Sequence, residues 1–214
     1  MTDRVLYDYW RSSAAYRVRI ALNLKGLTYE SRTVDLRTGA QSGVGYTMLN
    51  PQGLVPFLID GETGIAQSLS IIEWLDETYP EPPLLPGDAG QRARIRGAAL
   101  GLIADAHPLI NLRVRKYLAR EMGHDEAQID AWSRHWVELA LGTLEEQAER
   151  ATGLYLFGDT PTLADVCLVA QMYGARRLQA DVARFPALSA IDKRLNTLPA
   201  VDAARPEKHP GADS

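Results

Sequence analysis

The apolar pattern changes period quickly over the first 79 residues. A short β-type run, Val5-Leu6-Tyr7, marks a strand near 4 to 8, and an amphipathic helical pattern follows over 14 to 25 until Gly26 ends it. A second strand is expected near 29 to 35 and an irregular or short helical stretch over 40 to 48. Two more strands follow near 56 to 60 and 63 to 66, divided by the Asp60-Gly61 turn signal, and then a helix over 68 to 79. A β-α-β unit followed by β-β-α demands a mixed sheet with helices packed on it.

Glu81-Pro82-Pro83-Leu84-Leu85-Pro86-Gly87 cannot continue that helix, because proline lacks the amide donor and restricts the residue before it. Beyond residue 90 the strand signal disappears. Periodic segments run over about 90 to 120, 125 to 151, 162 to 179 and 187 to 197, the pattern of an all-helical bundle. Thr162 and Asp165 stand as N-cap and N3 of the third. The expected organisation is a sheet domain over 1–80, a linker over 81–89, a helical domain over 90–198 and, lacking any apolar period, a loosely ordered tail over 199–214.

Composition narrows the partners. With 214 residues, two modest domains each have enough chain for a core, and a formal charge of −4 with interspersed signs gives no footprint for nucleic acid or an anionic membrane. No apolar segment approaches a membrane span and Met1-Thr2-Asp3-Arg4-Val5 lacks the apolar core of a signal peptide, so a cytoplasmic small-molecule protein is expected. His107, His124, His135 and His209 are scattered without metal-ligand spacing, so no metal site is expected. The single cysteine, Cys167, excludes an internal disulfide and reads as a buried core residue.

The chemistry concentrates at the first strand-to-helix junction. Arg11-Ser12-Ser13-Ala14-Ala15-Tyr16-Arg17-Val18-Arg19-Ile20 opens a helix with two serines, which are favoured N-cap residues beside the positive end of the helix dipole. Dithiol redox proteins carry Cys-x-x-Cys at such a junction, but Ser12-Ser13-Ala14-Ala15 cannot do that chemistry. A thiol reacting here must arrive on a ligand, held as a thiolate by a hydroxyl and helix-start amides. Taken alone, Ser12 or Ser13 is better explained as a helix cap.

Four stretches in order make the chain similar to the cytosolic glutathione transferases of the zeta class. They are Ser12 to Leu22, Leu49-Asn50-Pro51-Gln52-Gly53-Leu54-Val55-Pro56, Gln67-Ser68-Leu69-Ser70-Ile71-Ile72-Glu73-Trp74-Leu75, and Asp105-Ala106-His107-Pro108-Leu109-Ile110-Asn111-Leu112-Arg113. One departure is that Ala14 stands where the zeta signature has cysteine. The resemblance implies an α+β thioredoxin-like domain followed by an all-α bundle, glutathione as cofactor, a homodimer, and a dicarboxylic keto acid as substrate. It also implies cis-trans isomerisation of a maleyl keto acid by reversible thiolate addition. The alternatives left open are a conjugating transferase, an α-haloacid dehalogenase and a noncatalytic transferase-like binding module.

Residue by residue, the resemblance puts Ser12 at the glutathione sulfur, aided by Ser13. Lowering a thiol pKa by about two units needs about 2.7 kcal/mol, which one hydroxyl bond and a helix terminus can supply. It makes the Val55-Pro56 bond cis, so that the Val55 backbone pairs with the cysteinyl segment, and gives Gln67 and Ser68 the γ-glutamyl carboxylate at a helix start where Ser68 reads as N-cap. Arg11 and Arg177 then hold substrate carboxylates, while His107 and Asn111 line the pocket on a helix that Pro108 kinks. Plain structural roles compete: Arg177 is spaced i, i+4 from Asp181, Arg11 is close to Asp8, and His107 could be a buried structural histidine. Tyr7, Tyr9 and Trp10 read as core and pocket wall, with Tyr7 a lower-ranked thiol activator.

Overall fold

A computed structural model describes residues 3–212. The chain divides into two compact units, the described part of Met1–Leu84 with Thr197–Ser214 and the segment Leu85–Asn196. No helix among the described residues is long and apolar enough to cross a membrane.

The first unit is built on a four-stranded sheet in the order β2-β1-β3-β4. Strands β1 (Arg4–Asp8) and β2 (Glu30–Thr33) run parallel, with Leu6 opposite Ser31. Strand β3 (Phe57–Asp60) lies antiparallel to β1, with Leu6 opposite Leu58, and β4 (Thr63–Ala66) is antiparallel to β3. This is the thioredoxin-like arrangement required by the β-α-β and β-β-α order. Helix α1 (Ser13–Leu24) joins β1 to β2 and closes in a Schellman turn, with Gly26 at φ 66° and the Leu27 amide on the Leu22 carbonyl at 2.9 Å. A 3-10 turn (Ala40–Ser42) and α2 (Val44–Thr47) cover the face where Tyr7, Val34, Tyr46 and Phe57 cluster. Helix α3 (Ser68–Thr78) packs against α1.

Helix α1 buries eight consecutive residues, Ala15 to Leu22, including Arg17 and Arg19. An amphipathic helix on a sheet exposes one side, and this one does not, because the C-terminal segment folds back over it. The expected loose tail over 199–214 is therefore a correction. Its described part forms α10 (Pro199–Ala203) and a 3-10 turn (Pro206–Lys208), and it buries Val201, Ala204, Pro206 and His209, while residues 213 and 214 lie outside the described residues. The anchoring is largely polar, which is why hydropathy did not reveal it. Asn23 Nδ2 donates to the Ala200 carbonyl at 3.0 Å and Arg19 Nε to the Ala204 carbonyl at 3.1 Å.

The second unit is helical. Helix α4 (Ala89–Leu100) is capped by Asp88, and a π-helical segment (Gly101–Ala106), α5 (His107–Ile110) and α6 (Leu112–Arg120) follow. The single kinked helix expected over 90 to 120 is thus interrupted twice. Pro108 cannot donate to the carbonyl four residues back, and the turn before it widens, so that the His107 amide reaches Leu102, five residues back. Asn111 then turns extended at φ −70° and ψ 165°, and its side chain accepts from the Val114 amide at 3.1 Å to start α6.

Helix α7 (Glu126–Ala148) begins with a capping box of Asp125 and Gln128. Helices α8 (Leu163–Arg177) and α9 (Pro186–Leu195) complete the bundle. In the first turn of α8, the buried Asp165 carboxylate accepts from the Thr162 amide at 2.8 Å and the Thr162 hydroxyl at 2.7 Å, and from the Leu156 amide at 3.0 Å. Cys167 is buried within α8.

Candidate active site

Ser12 ends the turn between β1 and α1. Its amide donates to the Tyr9 carbonyl at 2.9 Å, and its Oγ accepts from the Ala15 amide at 3.2 Å, so it is the N-cap of α1. Capping uses a lone pair of the hydroxyl and leaves the O–H free to donate. An amide feeding that oxygen polarises it further, making it a better donor to an anion in front of the helix. Capping and thiolate binding are therefore compatible in this side chain. Ser13 is the first helical residue and Ala14 follows it half-buried, with no nucleophile of its own. Arg11 is exposed, its guanidinium over the Trp10 ring at 5.3 Å. The alternative pairing of Arg11 with Asp8 does not form, because the Asp8 carboxylate is fully buried and bonded to Arg19 at 3.1 Å.

The 50–56 segment is held by contacts that sequence reasoning left unassigned. The Leu54 carbonyl accepts from buried Asn50 Nδ2 at 2.8 Å and from the Tyr46 hydroxyl at 2.5 Å. Gly53 sits at φ 60°, where a Cβ would lie 3.1 Å from the Gln41 carbonyl oxygen. The Val55-Pro56 peptide is cis, as expected, although β3 begins one residue later, at Phe57. The Val55 backbone has no hydrogen-bond partner among the described residues, which leaves an amide and a carbonyl free for an extended ligand segment.

The start of α3 corrects one expectation. Ser68 is the first helical residue and Gln67 is the residue before it, at φ 72° and ψ 124° with no side-chain cap bond. Ser68 stands one position past the N-cap, and its hydroxyl accepts from buried Arg17 at 3.0 Å. The first-turn amides of α3 are thus left without a side-chain cap, which favours an anion there. Positive φ outside glycine is costly and here turns the Gln67 side chain to Gln52, Nε2 to Oε1 at 2.6 Å. Arg17 sits one turn beyond Ser13, so its bond to Ser68 ties the start of α1 to the start of α3. Together, Ser12, Arg17, Gln52, Gln67 and Ser68 belong to one linked end of the first unit. Tyr7 is elsewhere, its hydroxyl accepting from Arg32 at 3.1 Å and its ring tilted against Tyr46 and Phe57.

His107, Asn111 and Arg177 belong to the second unit. His107 is half-buried at the junction of the π segment and α5. Asn111 uses its oxygen to cap α6, which leaves its amide group for other partners. Arg177 is the exposed last residue of α8, and Gln179 follows at φ 56°. The chain therefore leaves the helix before Asp181, so Arg177 and Asp181 do not share one helical face. Arg176 instead pairs with buried Asp192.

Residues 6–83 match the glutathione S-transferase N-terminal domain model. Across 214 residues, 99% of this chain and 100% of the relative, the sequence is 47% identical to the probable maleylacetoacetate isomerase of Vibrio cholerae. The chain belongs to the zeta-class glutathione S-transferases. A solved holo structure of a maleylpyruvate isomerase, a bacterial zeta-class enzyme, superposes with a TM-score of 0.96 at 43% identity, covering 98% of this chain and 100% of that one. The maleylacetoacetate isomerase of Methylobacterium extorquens AM1, solved with bound malonate and glutathione, matches with a TM-score of 0.94 at 38% identity over 98% of this chain and 100% of that one. The zeta-class likeness thus runs through both units.

Proposed function

We propose that this protein is a glutathione-dependent cis-trans isomerase that converts maleylacetoacetate to fumarylacetoacetate in aromatic amino acid catabolism. One observation carries the reading: the likeness to isomerases extends over 99% of the chain, so it includes the helical unit that carries the substrate-side residues. Maleylpyruvate is the second candidate substrate, favoured by the 0.96 TM-score to a maleylpyruvate isomerase.

The donor set suits glutathione. A free hydroxyl donor at the start of α1, an unpaired Val55 amide and carbonyl, and uncapped amides at the start of α3 answer a thiolate, a peptide segment and a carboxylate. Bound glutathione supplies a thiol nucleophile whose reversible addition to the double bond frees it to rotate. Ser12 donates its O–H to the sulfur and keeps it anionic, with Ser13 contributing a helix-start amide. Val55, beside buried Pro56, offers its amide and carbonyl to the cysteinyl backbone, and Gln67 with the Ser68 amide receives the γ-glutamyl carboxylate. Arg11 and Arg177 hold the substrate carboxylates through guanidinium forks, and His107 and Asn111 complete the polar lining. Ala14 means that no enzyme thiol at that position takes part.

We further assign a cytoplasmic homodimer. The single cysteine, buried in α8, suits a reducing compartment. The test of function is an isomerisation assay on maleylacetoacetate and on maleylpyruvate, each with and without glutathione. Turnover of either that depends on glutathione supports the proposal. Stoichiometric conjugation with no isomerised product replaces it with a transferase.

A further inference from the structure

Asp8 is the last residue of β1, and its side chain is fully buried. Its Oδ2 accepts from Arg19 at 3.1 Å, and its Oδ1 accepts from the Ser31 hydroxyl at 3.0 Å and from His209 Nε2 at 2.9 Å. His209 comes from the C-terminal segment, 201 residues away. Its Nδ1 accepts from the Gly211 amide at 2.9 Å, which places the ring proton on Nε2 and makes His209 a neutral donor to the carboxylate. Tyr29 and Tyr46 also feel this network, and burial pushes both phenols up, that of Tyr29 to about 12, so both stay neutral. The buried charges are one carboxylate and one guanidinium.

The guanidinium reaches further. Arg19 donates from Nε to the Ala204 carbonyl and from NH2 to the Trp10 carbonyl, both at 3.1 Å. Trp10 lies two residues before Ser12, and the Ser12 amide is bonded to Tyr9. The turn that presents the Ser12 hydroxyl therefore hangs from Asp8 at one end and from Arg19 in its middle. Both anchors depend on the C-terminal segment, His209 through Asp8 and Ala204 through Arg19. A Cβ at Gly211 would lie 2.6 Å from Thr33 Oγ1, so the strap closes tightly on the end of β2.

We infer that His209 and Asp8 are positioning residues for the reaction: the C-terminal strap, locked by His209 on Asp8, holds Arg19 on the Trp10 carbonyl and so fixes the Ser12 hydroxyl against the glutathione sulfur. This rests on the role of Ser12 proposed above. Without the His209 donor the carboxylate loses one of two bonds to Oδ1, Arg19 is pulled toward the deficit, and the turn gains freedom at the atom that must meet the thiolate.

The test titrates thiolate absorbance of bound glutathione and measures kcat and KM in wild type, His209→Leu and His209→Gln. The expected result is a bound thiol pKa raised by about half a unit to one unit and a kcat lowered about threefold to tenfold in His209→Leu. KM for the keto acid should be nearly unchanged, and His209→Gln, whose side-chain amide donates to Asp8, should return toward wild type. A lowered melting temperature in His209→Leu with thiol pKa and kcat as in wild type overturns the inference, as does equal impairment of both variants. Should His209→Leu not fold, Gly211→Ala, which displaces the strap end from Thr33, is expected to move the thiol pKa in the same direction. An unmoved pKa there also overturns it. If wild type itself shows no lowered thiol pKa, the role of Ser12 has failed and the positioning role falls with it, a result distinct from an unresponsive variant.

Discussion

Replacing Ser12 separates two functions that share one oxygen. In Ser12→Ala, α1 loses the cap bond from the Ala15 amide, 3.2 Å long in the structure, at a cost of about 1 kcal/mol. In a chain of 214 residues that lowers Tm by about 2–4 °C. The same substitution removes the only side-chain hydroxyl proposed to donate to the sulfur. A hydrogen bond to a charged group is worth about 1.5–3 kcal/mol, so the bound thiol pKa should rise by about one to two units. Ser12→Asp pulls the two effects apart. Aspartate caps about as well as serine, so Tm should stay near wild type, but it has no proton to donate at neutral pH and sets a negative charge beside the thiolate. Its thiol pKa should rise at least as far as that of Ser12→Ala. The assay is the pH titration of thiolate absorbance at saturating glutathione, with thermal unfolding in parallel. If Ser12→Ala loses Tm and keeps the wild-type thiol pKa, Ser12 is a helix cap only and the activating donor lies elsewhere.

Arg177→Ala should lower kcat/KM for the keto acid by about one to two powers of ten while leaving glutathione affinity unchanged, as expected of a charge-assisted bond to one substrate carboxylate; unaltered steady-state kinetics would remove Arg177 from the site. Burial pushes the Asp165 carboxyl above its ordinary range despite the bonds it accepts from Leu156 and Thr162. With a folded pKa above the unfolded value near 3.9, its contribution to stability is fully present below about pH 3.9 and is lost as pH rises through the folded pKa. Relative to Asp165→Asn, wild type should lose stability over that window in denaturant titrations, and a relative gain would mean that the accepted bonds outweigh burial. Sedimentation at micromolar concentration should find a dimer, and a monomer would contradict the proposed assembly.

Much of the first unit was legible because its signals are local. Val5-Leu6-Tyr7, Gly26 and Asp60-Gly61 mark a strand, a helix stop and a hairpin through short-range geometry, and all appear in place. The site was legible in its residue types more than in its bonds. Ser68 looked like an N-cap because serine before an apolar helix usually is one, and only the fold brings Arg17, 51 residues away, to claim its hydroxyl. The amphipathic pattern of α1 gave no sign that Arg19 is buried, because the C-terminal segment that covers it makes its contacts through carbonyls and a histidine, invisible to hydropathy. The break at Asn111 was missed for a similar reason. Pro108 announced a disturbance, but the extended residue three positions later depends on an Asn side chain choosing the Val114 amide.

The account stands or falls on glutathione being a catalyst here and not a reactant. The most direct measurement supplies glutathione far below the concentration of maleylacetoacetate and follows both isomerised product and remaining free thiol. Many product molecules per glutathione, with the thiol fully recovered at the end, is the expected result. Product that stops at one equivalent of glutathione, with the thiol consumed, would contradict the account and assign the site to conjugation.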